Sequence, residues 1–165
     1  MIYLDEPDLD YIPSTRGKDV RKFELAMAEY LGVDDCVAVN SGTSALLLSL
    51  IACGIGNGDT VLVPATTFIG TGNAVLMTGA RVQLVDVNLK NWLIDLSDII
   101  DLIYDDIAAI IPVSLYGRFV DFDLEFMKVP IVIDNAEGIG NELVNGDYYC
   151  LSFNGNKTLT TGAGG

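Results

Sequence analysis

Short apolar runs alternate along this chain with segments of helical periodicity, and this alternation limits the folds that it can adopt. The apolar runs are continuous, whereas a sheet with one face in water shows a period of two. Continuous apolar strands joined by helices are typical of a parallel sheet that helices cover on both faces. We therefore predict the α/β class, as a three-layer sandwich with a mostly parallel sheet. The predicted strands are residues 36–39, 60–63, 81–87, 108–113, 131–133 and 148–153, and the predicted helices are residues 21–31, 43–53, 68–77 and 97–104.

The length of 165 residues is sufficient for one domain with a substantial core. Half of the residues are apolar and the mean hydropathy is +0.40, which is high for a soluble monomer of this size. We interpret the excess as surface that something else covers. The longest apolar runs, around residues 45–55 and 107–113, are too short to cross a bilayer.

The chain is strongly acidic, since 9 Lys and Arg residues against 23 Asp and Glu residues give a net charge of −14. Such a field repels phosphates and anionic lipid headgroups, so neither nucleic acid nor a membrane is expected as a partner. The absence of histidine and of a close cysteine pair excludes a zinc site and a Ser-His-Asp triad. The three scattered cysteines are typical of reduced core residues, and the first residues lack a signal-peptide pattern, so we expect a cytoplasmic protein.

Lys157 follows the apolar run 148–153 within the segment Ser152-Phe-Asn-Gly-Asn-Lys157, among small and polar residues. A lysine that condenses with an aldehyde has to be fixed at a strand end, open to a pocket and able to lose its proton. The position of Lys157 fits these needs. A lysine considered alone is more commonly a surface residue, so this interpretation depends on the residues that accompany it.

An anion-binding turn is indicated at Ser41-Gly42-Thr43-Ser44, which follows a predicted strand and opens a predicted helix. Backbone N–H groups and hydroxyls at a helix N-terminus form a phosphate site. The alternative is an ordinary Ser/Thr N-cap, which is the commoner meaning of such residues. The segment lacks the glycine spacing of a dinucleotide site and the Gly-Lys of a nucleoside-triphosphate loop.

Two further residues stand near predicted strand ends. Asp134 closes an apolar strand and points into the crevice where α/β sheets bind ligands, where it would keep a pyridine nitrogen protonated. The alternative is a cap for the turn that begins at Asn135. Phe68 would lie flat on a cofactor ring or be an ordinary core aromatic. A phosphate turn, an aromatic ring, an aspartate and a lysine at successive strand ends are together the anchors that pyridoxal phosphate (PLP) requires.

Five motifs follow one another along the chain: Asn40-Ser-Gly-Thr-Ser-Ala45, Pro64-Ala-Thr-Thr-Phe68, Leu115-Tyr-Gly117, Ile133-Asp-Asn-Ala136 and Ser152-Phe-Asn-Gly-Asn-Lys157. This ordered set resembles the DegT/DnrJ/StrS type of sugar aminotransferases, within the fold type I class of PLP enzymes. The resemblance covers nearly all 165 residues. It implies the cofactor-binding large domain of such an enzyme.

The resemblance implies a role for each matching position. Lys157 would bind the cofactor aldehyde as a Schiff base and afterwards move a proton between substrate and cofactor. Asp134 would hold the pyridinium nitrogen, and Phe68 would stack on the ring. Glu137 stands where many relatives have glutamine near the cofactor phenolic oxygen, and a carboxylate there would repel the phenolate or be protonated. The residues that would bind the cofactor phosphate are Gly42, Thr43, Ser44 and Ser152.

Enzymes of this type usually pass an amino group from glutamate to a nucleotide-linked keto-6-deoxysugar, and so build amino sugars for surface polysaccharides or natural products. The resemblance implies such an aminotransferase, working as a homodimer whose cofactor pockets include residues of the partner subunit. The lysine speaks against the related sugar dehydratases, which carry histidine in its place. Two positions depart from the common pattern: Ser114 stands where histidine is frequent, and Ala163 stands where glutamate is frequent.

Members of the family are longer than this chain, so residues 1–165 are expected to form an incomplete large domain without the C-terminal small domain. An alternative hypothesis is a truncated, non-catalytic remnant or interaction module that keeps the Lys157 motif but turns nothing over. The high apolar content fits both hypotheses, because a missing part would leave core and dimer surface uncovered.

Overall fold

The computed structural model describes residues 17–95, 97, 99, 102, 106–118, 126, 128–141 and 146–165. The chain divides into two compact units, Met1–Ala38 and Val39–Gly165. The predicted helix at residues 97–104 lies largely outside the described residues. Within the part of the chain that is described, no helix has the length and apolar character needed to cross a membrane.

Helix α1 (Lys18–Leu31) lies in the first unit and ends where the sequence predicts. Gly32 follows it with a φ of 69°, in the left-handed region that favours glycine. The N–H of Gly32 donates to the carbonyls of Ala28 and Glu29, which closes the last turn. The helix therefore ends for the reason that the Leu-Gly sequence indicates.

The predicted strand at residues 36–39 is wrong. The N–H groups of Cys36 and Ala38 donate to the carboxylates of Asp35 and Glu24, at 3.0 Å in both cases, so they are not available for a strand ladder. A strand exists only where its backbone pairs with a neighbour.

The beginning of the second unit shows limited pairing of this kind. Val39 exchanges two backbone hydrogen bonds with Gly165, at 2.9 and 3.0 Å. Ser41 forms a parallel bridge with Gly164. The glycine-rich segment is thus held beside the residues that precede the second helix.

Parallel pairing builds the sheet of the second unit. Its strands are β1 (Thr60–Pro64), β2 (Arg81–Val85), β3 (Ala109–Ile110), β4 (Val132–Asp134) and β5 (Tyr148–Cys150). β1 pairs in parallel with β2 and with β3, and β4 pairs in parallel with β5. Parallel bridges at Ile110–Ile131 and Val113–Asp134 connect the two groups of strands. The predicted α/β fold with a mostly parallel sheet is confirmed.

Three strands are shorter than the sequence predicts, each for an identifiable reason. Pro112 has no N–H, so the run 108–113 keeps only β3 and the bridge at Val113. Phe153 does not extend β5, because its N–H donates to the Gly164 carbonyl at 3.0 Å. Val87 forms an antiparallel bridge with Ile94 instead of extending β2.

Two apolar clusters lie on opposite faces of this sheet. Helices α2 (Gly42–Ala52) and α3 (Ile69–Thr78) pack on one face, where Leu50 of α2 joins Val61 and Val63 of β1. Leu62, between those valines, points to the other face and packs in the cluster that contains Ile99. Apolar side chains on both faces of β1 are what a continuous apolar strand predicts.

Helix α2 is only partly buried, although its sequence is almost entirely apolar and predicts full burial. Leu46 and Leu50 are 3% and 0% exposed, whereas Leu48 and Ile51 on the other side are 46% and 55% exposed. One apolar side of α2 is therefore exposed to solvent. This exposure agrees with the high mean hydropathy of the sequence, which we interpret as surface that something else covers.

The three cysteines carry free thiols. Cys150 is buried in the core beside the Ser49 hydroxyl, 3.4 Å from its sulfur, and burial raises the pKa of its thiol to about 12. The prediction of reduced core cysteines describes Cys150 well. Cys36 and Cys53 are only half-buried.

Candidate functional site

A cavity of about 270 Å³ opens where parallel strands end beside the N-terminus of α2. Seven of the eight residues that the sequence predicts for the site line it, and Ser44 does not. Its lining includes Gly42, Thr43, Phe68, Asp134, Glu137, Ser152 and Lys157. The fold thus brings together residues that stand more than a hundred positions apart in the chain.

Parallel topology explains this convergence. β1 ends at Pro64 and leads to Phe68, β4 ends at Asp134, and the chain after β5 reaches Ser152 directly. In a parallel sheet all these carboxyl ends lie at one edge, where α/β proteins bind ligands. Seven of the candidate residues line one cavity at this edge, and their roles there stay a prediction.

The two interpretations of the Ser41–Ser44 turn apply to different residues within it. The Ser41 hydroxyl accepts the N–H of Ser44 at 3.1 Å and lies 3.0 Å from the Ser44 hydroxyl, so this pair caps the helix. Gly42 and Thr43 line the cavity together with Ser41. Their position beside the cavity, at the N-terminus of an 11-residue helix, is the arrangement that attracts an anion.

Gly42 permits a close approach between α2 and the end of β5. A Cβ atom built on Gly42 would lie 3.0 Å from the Cβ of Ser152 and 3.1 Å from the Leu151 carbonyl oxygen. Both distances are tighter than ordinary van der Waals contact. Glycine at this position therefore lets the helix N-terminus and Ser152 face the same small space.

Asp134 is buried, with 5% of its surface exposed. One carboxylate oxygen accepts the Thr71 hydroxyl at 2.7 Å, and the other accepts the N–H of Ala136 at 3.2 Å. Burial raises the pKa of Asp134 above its ordinary value, and the two hydrogen bonds and the Lys157 charge oppose this effect. Asp134 caps the following turn, as one interpretation holds, and it also presents an acid to the cavity.

Lys157 is paired with Glu137 across the cavity wall. The Lys157 Nζ lies 3.1 Å from the Glu137 Oε1, and the lysine side chain is only 15% exposed. The other oxygen of Glu137 accepts the N–H of Tyr116 at 2.7 Å. Lys157 is therefore not the surface lysine of the alternative interpretation.

The Glu137 bond to Tyr116 falls at a conformationally restricted point of the backbone. Tyr116 has a φ of 54°, in the left-handed region that non-glycine residues rarely adopt. It lies in the short 3₁₀ turn Leu115–Gly117, and its ring packs edge-to-face on Trp92 with centroids 6.4 Å apart. Glu137 thus connects this turn to Lys157 through one carboxylate.

Phe68 is 70% exposed and lines the cavity, which argues against its being an ordinary core aromatic. Thr71 is the functional candidate that sequence reasoning missed, since it is fully buried and bonds directly to Asp134. The available signal was two threonines four positions apart, Thr67 and Thr71, just after a strand end. Ser114, noted only as a departure from a common pattern, also lines the cavity.

Comparison with known proteins gives consistent results. The model of the DegT/DnrJ/EryC1/StrS aminotransferase family matches residues 11–165. The chain is 40% identical over 181 aligned positions to GDP-perosamine synthase of Caulobacter vibrioides, covering 98% of this chain and 49% of that protein. It is 34% identical over 152 positions to the 3-oxo-glucose-6-phosphate:glutamate aminotransferase of Bacillus subtilis, covering 88% of this chain and 34% of that protein.

A solved structure with the same fold carries a bound cofactor. NtdA from Bacillus subtilis with bound cofactor PMP superposes with a TM-score of 0.83 and 32% identity, over 90% of this chain and 36% of that chain. The chain spans about half the length, or less, of the relatives that it matches.

The raised pKa of Asp134 predicts a stability cost at neutral pH. Because the folded value lies above the ordinary 3.8, the unfolded state loses this proton first as pH rises, and the free energy of unfolding falls between the two values. The side chain in Asp134→Asn stays neutral and is able to bond to both Thr71 and Ala136. We therefore expect the free energy of unfolding of this variant not to fall over that pH range. Urea unfolding from about pH 4 to about pH 8 measures the difference.

The matched control is Asp95→Asn. Hydrogen bonds from Ser97 lower the pKa of Asp95, so its ionised form favours folding, and the control should be less stable than the wild type by a similar amount over most of this pH range, without the relative gain at high pH expected of Asp134→Asn. Equal pH dependence of the wild-type protein and Asp134→Asn would contradict the account of Asp134.

Proposed function

Because the chain belongs to the DegT/DnrJ/EryC1/StrS aminotransferase family, we propose that its strand-end cavity binds PLP and that the protein containing it transfers amino groups to a sugar. The family predicted from the sequence motifs is thereby confirmed. One observation carries the proposal: a helix N-terminus, a buried carboxylate and a sheltered lysine amine face the same cavity. These are the groups that a phosphate, a pyridine nitrogen and an aldehyde need.

The residues present fit the cofactor. Gly42, Thr43 and Ser152 would hold the phosphate, since they combine helix N–H groups and hydroxyls at the open end of α2. Asp134 would hold a proton at the pyridine nitrogen, because a buried carboxylate is a strong partner for a cationic N–H. The exposed ring of Phe68 offers an apolar face to the cofactor ring. Ser44 does not line the cavity, and its N–H donates to the Ser41 hydroxyl that caps the helix.

When bound, PLP supplies an aldehyde that takes up amino groups and a pyridinium ring that withdraws electrons from the neighbouring bonds. Lys157 has to lose a proton from Nζ before its amine attacks an aldehyde. The Glu137 Oε1 lies 3.1 Å from this nitrogen, within the range for direct proton transfer. A glutamine at position 137 would keep the bond to Tyr116 but would not take the proton. We therefore assign proton acceptance from Lys157 to Glu137.

The relatives support a choice of substrates. One is named for a GDP-linked amino sugar, and another is named for transfer between glutamate and an oxo sugar phosphate. We propose glutamate as the amino donor and a nucleotide-linked keto-6-deoxysugar as the acceptor, in the synthesis of amino sugars such as those of surface polysaccharides. The activity belongs to the whole protein, of which this chain corresponds to about half.

We further propose that the whole protein acts as a homodimer. Exposed apolar side chains on the sheet-covering helices support this, because they are open to water in the single chain. They are Leu48 and Ile51 on α2, with Ile69, Leu76 and Met77 on α3.

Borohydride reduction in the presence of PLP tests the cofactor site, because it fixes PLP to the amine that has condensed with it. We expect peptide mass spectrometry to find the label on Lys157 and to lose it in Lys157→Ala. Lys22→Ala is the matched control, since Lys22 is 72% exposed on α1 and lies far from the motif in sequence. Unchanged labelling in Lys157→Ala, with unchanged far-UV circular dichroism, would overturn the proposal. In a separate experiment without borohydride, adding glutamate to the whole protein with PLP distinguishes an aminotransferase, which forms 2-oxoglutarate, from a non-catalytic relative, which does not.

Glu137→Gln tests the proton transfer. Loss of a positioned proton acceptor should slow covalent loading by about a hundredfold near neutral pH. Hydroxide replaces the missing acceptor as pH rises, so the variant should approach the wild-type rate in alkaline buffer. Stopped-flow absorbance of PLP measures both rates. Equal rates at every pH would show that Glu137 takes no proton from Lys157.

A further inference from the structure

Two threonine hydroxyls form a chain that ends at the Asp134 carboxylate. The Thr71 Oγ1 lies 2.7 Å from the Asp134 Oδ2, and the Thr67 Oγ1 lies 2.8 Å from the Thr71 Oγ1. Thr71 is fully buried, while Thr67 is partly buried and lines the cavity. The chain therefore leads from the cavity wall to the most buried acid of the site.

The direction of this chain is fixed when Asp134 is ionised. A carboxylate only accepts hydrogen bonds, and the hydroxyl of Thr71 has a single proton to give. That proton goes to Asp134, so the remaining contact of Thr71 requires Thr67 to be the donor. Both hydroxyl dipoles then point towards the negative charge, and each strengthens the other.

The other groups that face Asp134 do not replace these hydroxyls. Ala136 donates its N–H to the second carboxylate oxygen at 3.2 Å, a longer bond than that from Thr71. The charges of Lys157 and Glu137 act on Asp134 in opposite directions, and the Lys157 Nζ donates its hydrogen bond to Glu137. The Thr71 hydroxyl is the closest donor to the carboxylate among the described residues.

We infer that Thr71 is a positioning residue for Asp134, and that Thr67 orients the Thr71 hydroxyl so that the carboxylate is held ionised and aimed at the pyridine nitrogen of the cofactor. The inference deepens the proposed function and rests on it for the role of Asp134. A buried hydroxyl costs desolvation free energy, and a valine of the same shape would fill the space without that cost. The hydrogen bond to Asp134 explains why a hydroxyl stands at position 71.

Titration of Asp134 by ¹³C NMR, in the chain labelled at aspartate carboxyl carbons, tests the positioning role without any cofactor. Asp134→Asn identifies the resonance. Thr71→Val should destabilise the ionised form of Asp134 and move the titration of Asp134 to higher pH, by the equivalent of about a tenfold gain in proton affinity. Thr71→Ser keeps the hydroxyl and should titrate like the wild type. Thr67→Val should move the titration in the same direction by a smaller amount.

Two outcomes would overturn the inference: a folded Thr71→Val that titrates like the wild type, or a Thr71→Ser that shifts as Thr71→Val does. If Thr71→Val fails to fold, the titrations of Thr71→Ser and Thr67→Val test the positioning role of Thr71. An unshifted Thr67→Val, or a shifted Thr71→Ser, then counts against it.

PLP affinity, measured by absorbance titration of the same variants, separates this inference from the proposed function. Thr71→Val should weaken PLP binding by about tenfold, and Thr71→Ser should restore it. A wild-type chain that titrates as expected but binds no PLP would reject the cofactor site and leave the hydroxyl chain standing. Equal PLP affinity of the wild-type chain and Thr71→Val would reject the positioning role alone.

Discussion

Parallel strand pairing is the constraint on which the candidate site depends. β1 pairs in parallel with β2 and β3, β4 pairs in parallel with β5, and the bridge between Val113 and Asp134 keeps the same sense. All the carboxyl ends consequently lie at one edge of the sheet. Residues near Phe68, Asp134 and Ser152 share a cavity because of this topology rather than because of any local motif.

Around that edge, the polar groups are held by bonds that cross between elements. Thr71 of α3 reaches Asp134 of β4, and Glu137 joins Lys157 to the turn at Tyr116. Burial disfavours the ionised form of Asp134, and the hydrogen bonds from the Thr71 hydroxyl and the Ala136 N–H offset part of this effect. Buried acids with a shifted pKa of this kind are common at functional sites.

The sequence predicts much of this architecture, because apolar continuity and glycine positions are local signals. The parallel α/β fold, the helix that ends at Gly32 and the strand-end position of Asp134 follow from such signals. The strand predicted at residues 36–39 fails because the carboxylates of Asp35 and Glu24 accept the N–H groups of Cys36 and Ala38, and apolar periodicity does not predict that competition.

Contacts between distant segments could not be predicted from the sequence. The Thr71–Asp134 bond joins residues 63 positions apart, and the Glu137–Tyr116 bond joins residues 21 positions apart. The motif around Ser41 was ambiguous for the same reason, since only the packed structure shows that the Ser41 hydroxyl caps the helix by accepting the Ser44 N–H, while Gly42 and Thr43 line the cavity.

A crystal structure of the chain with PLP tests the central claim most directly, because it locates every part of the cofactor at once. The account predicts the phosphate at the N-terminus of α2 beside Gly42 and Ser152, and the pyridine nitrogen beside Asp134. A cofactor bound elsewhere on the chain, or bound in this cavity with its ring nitrogen away from Asp134, would contradict it.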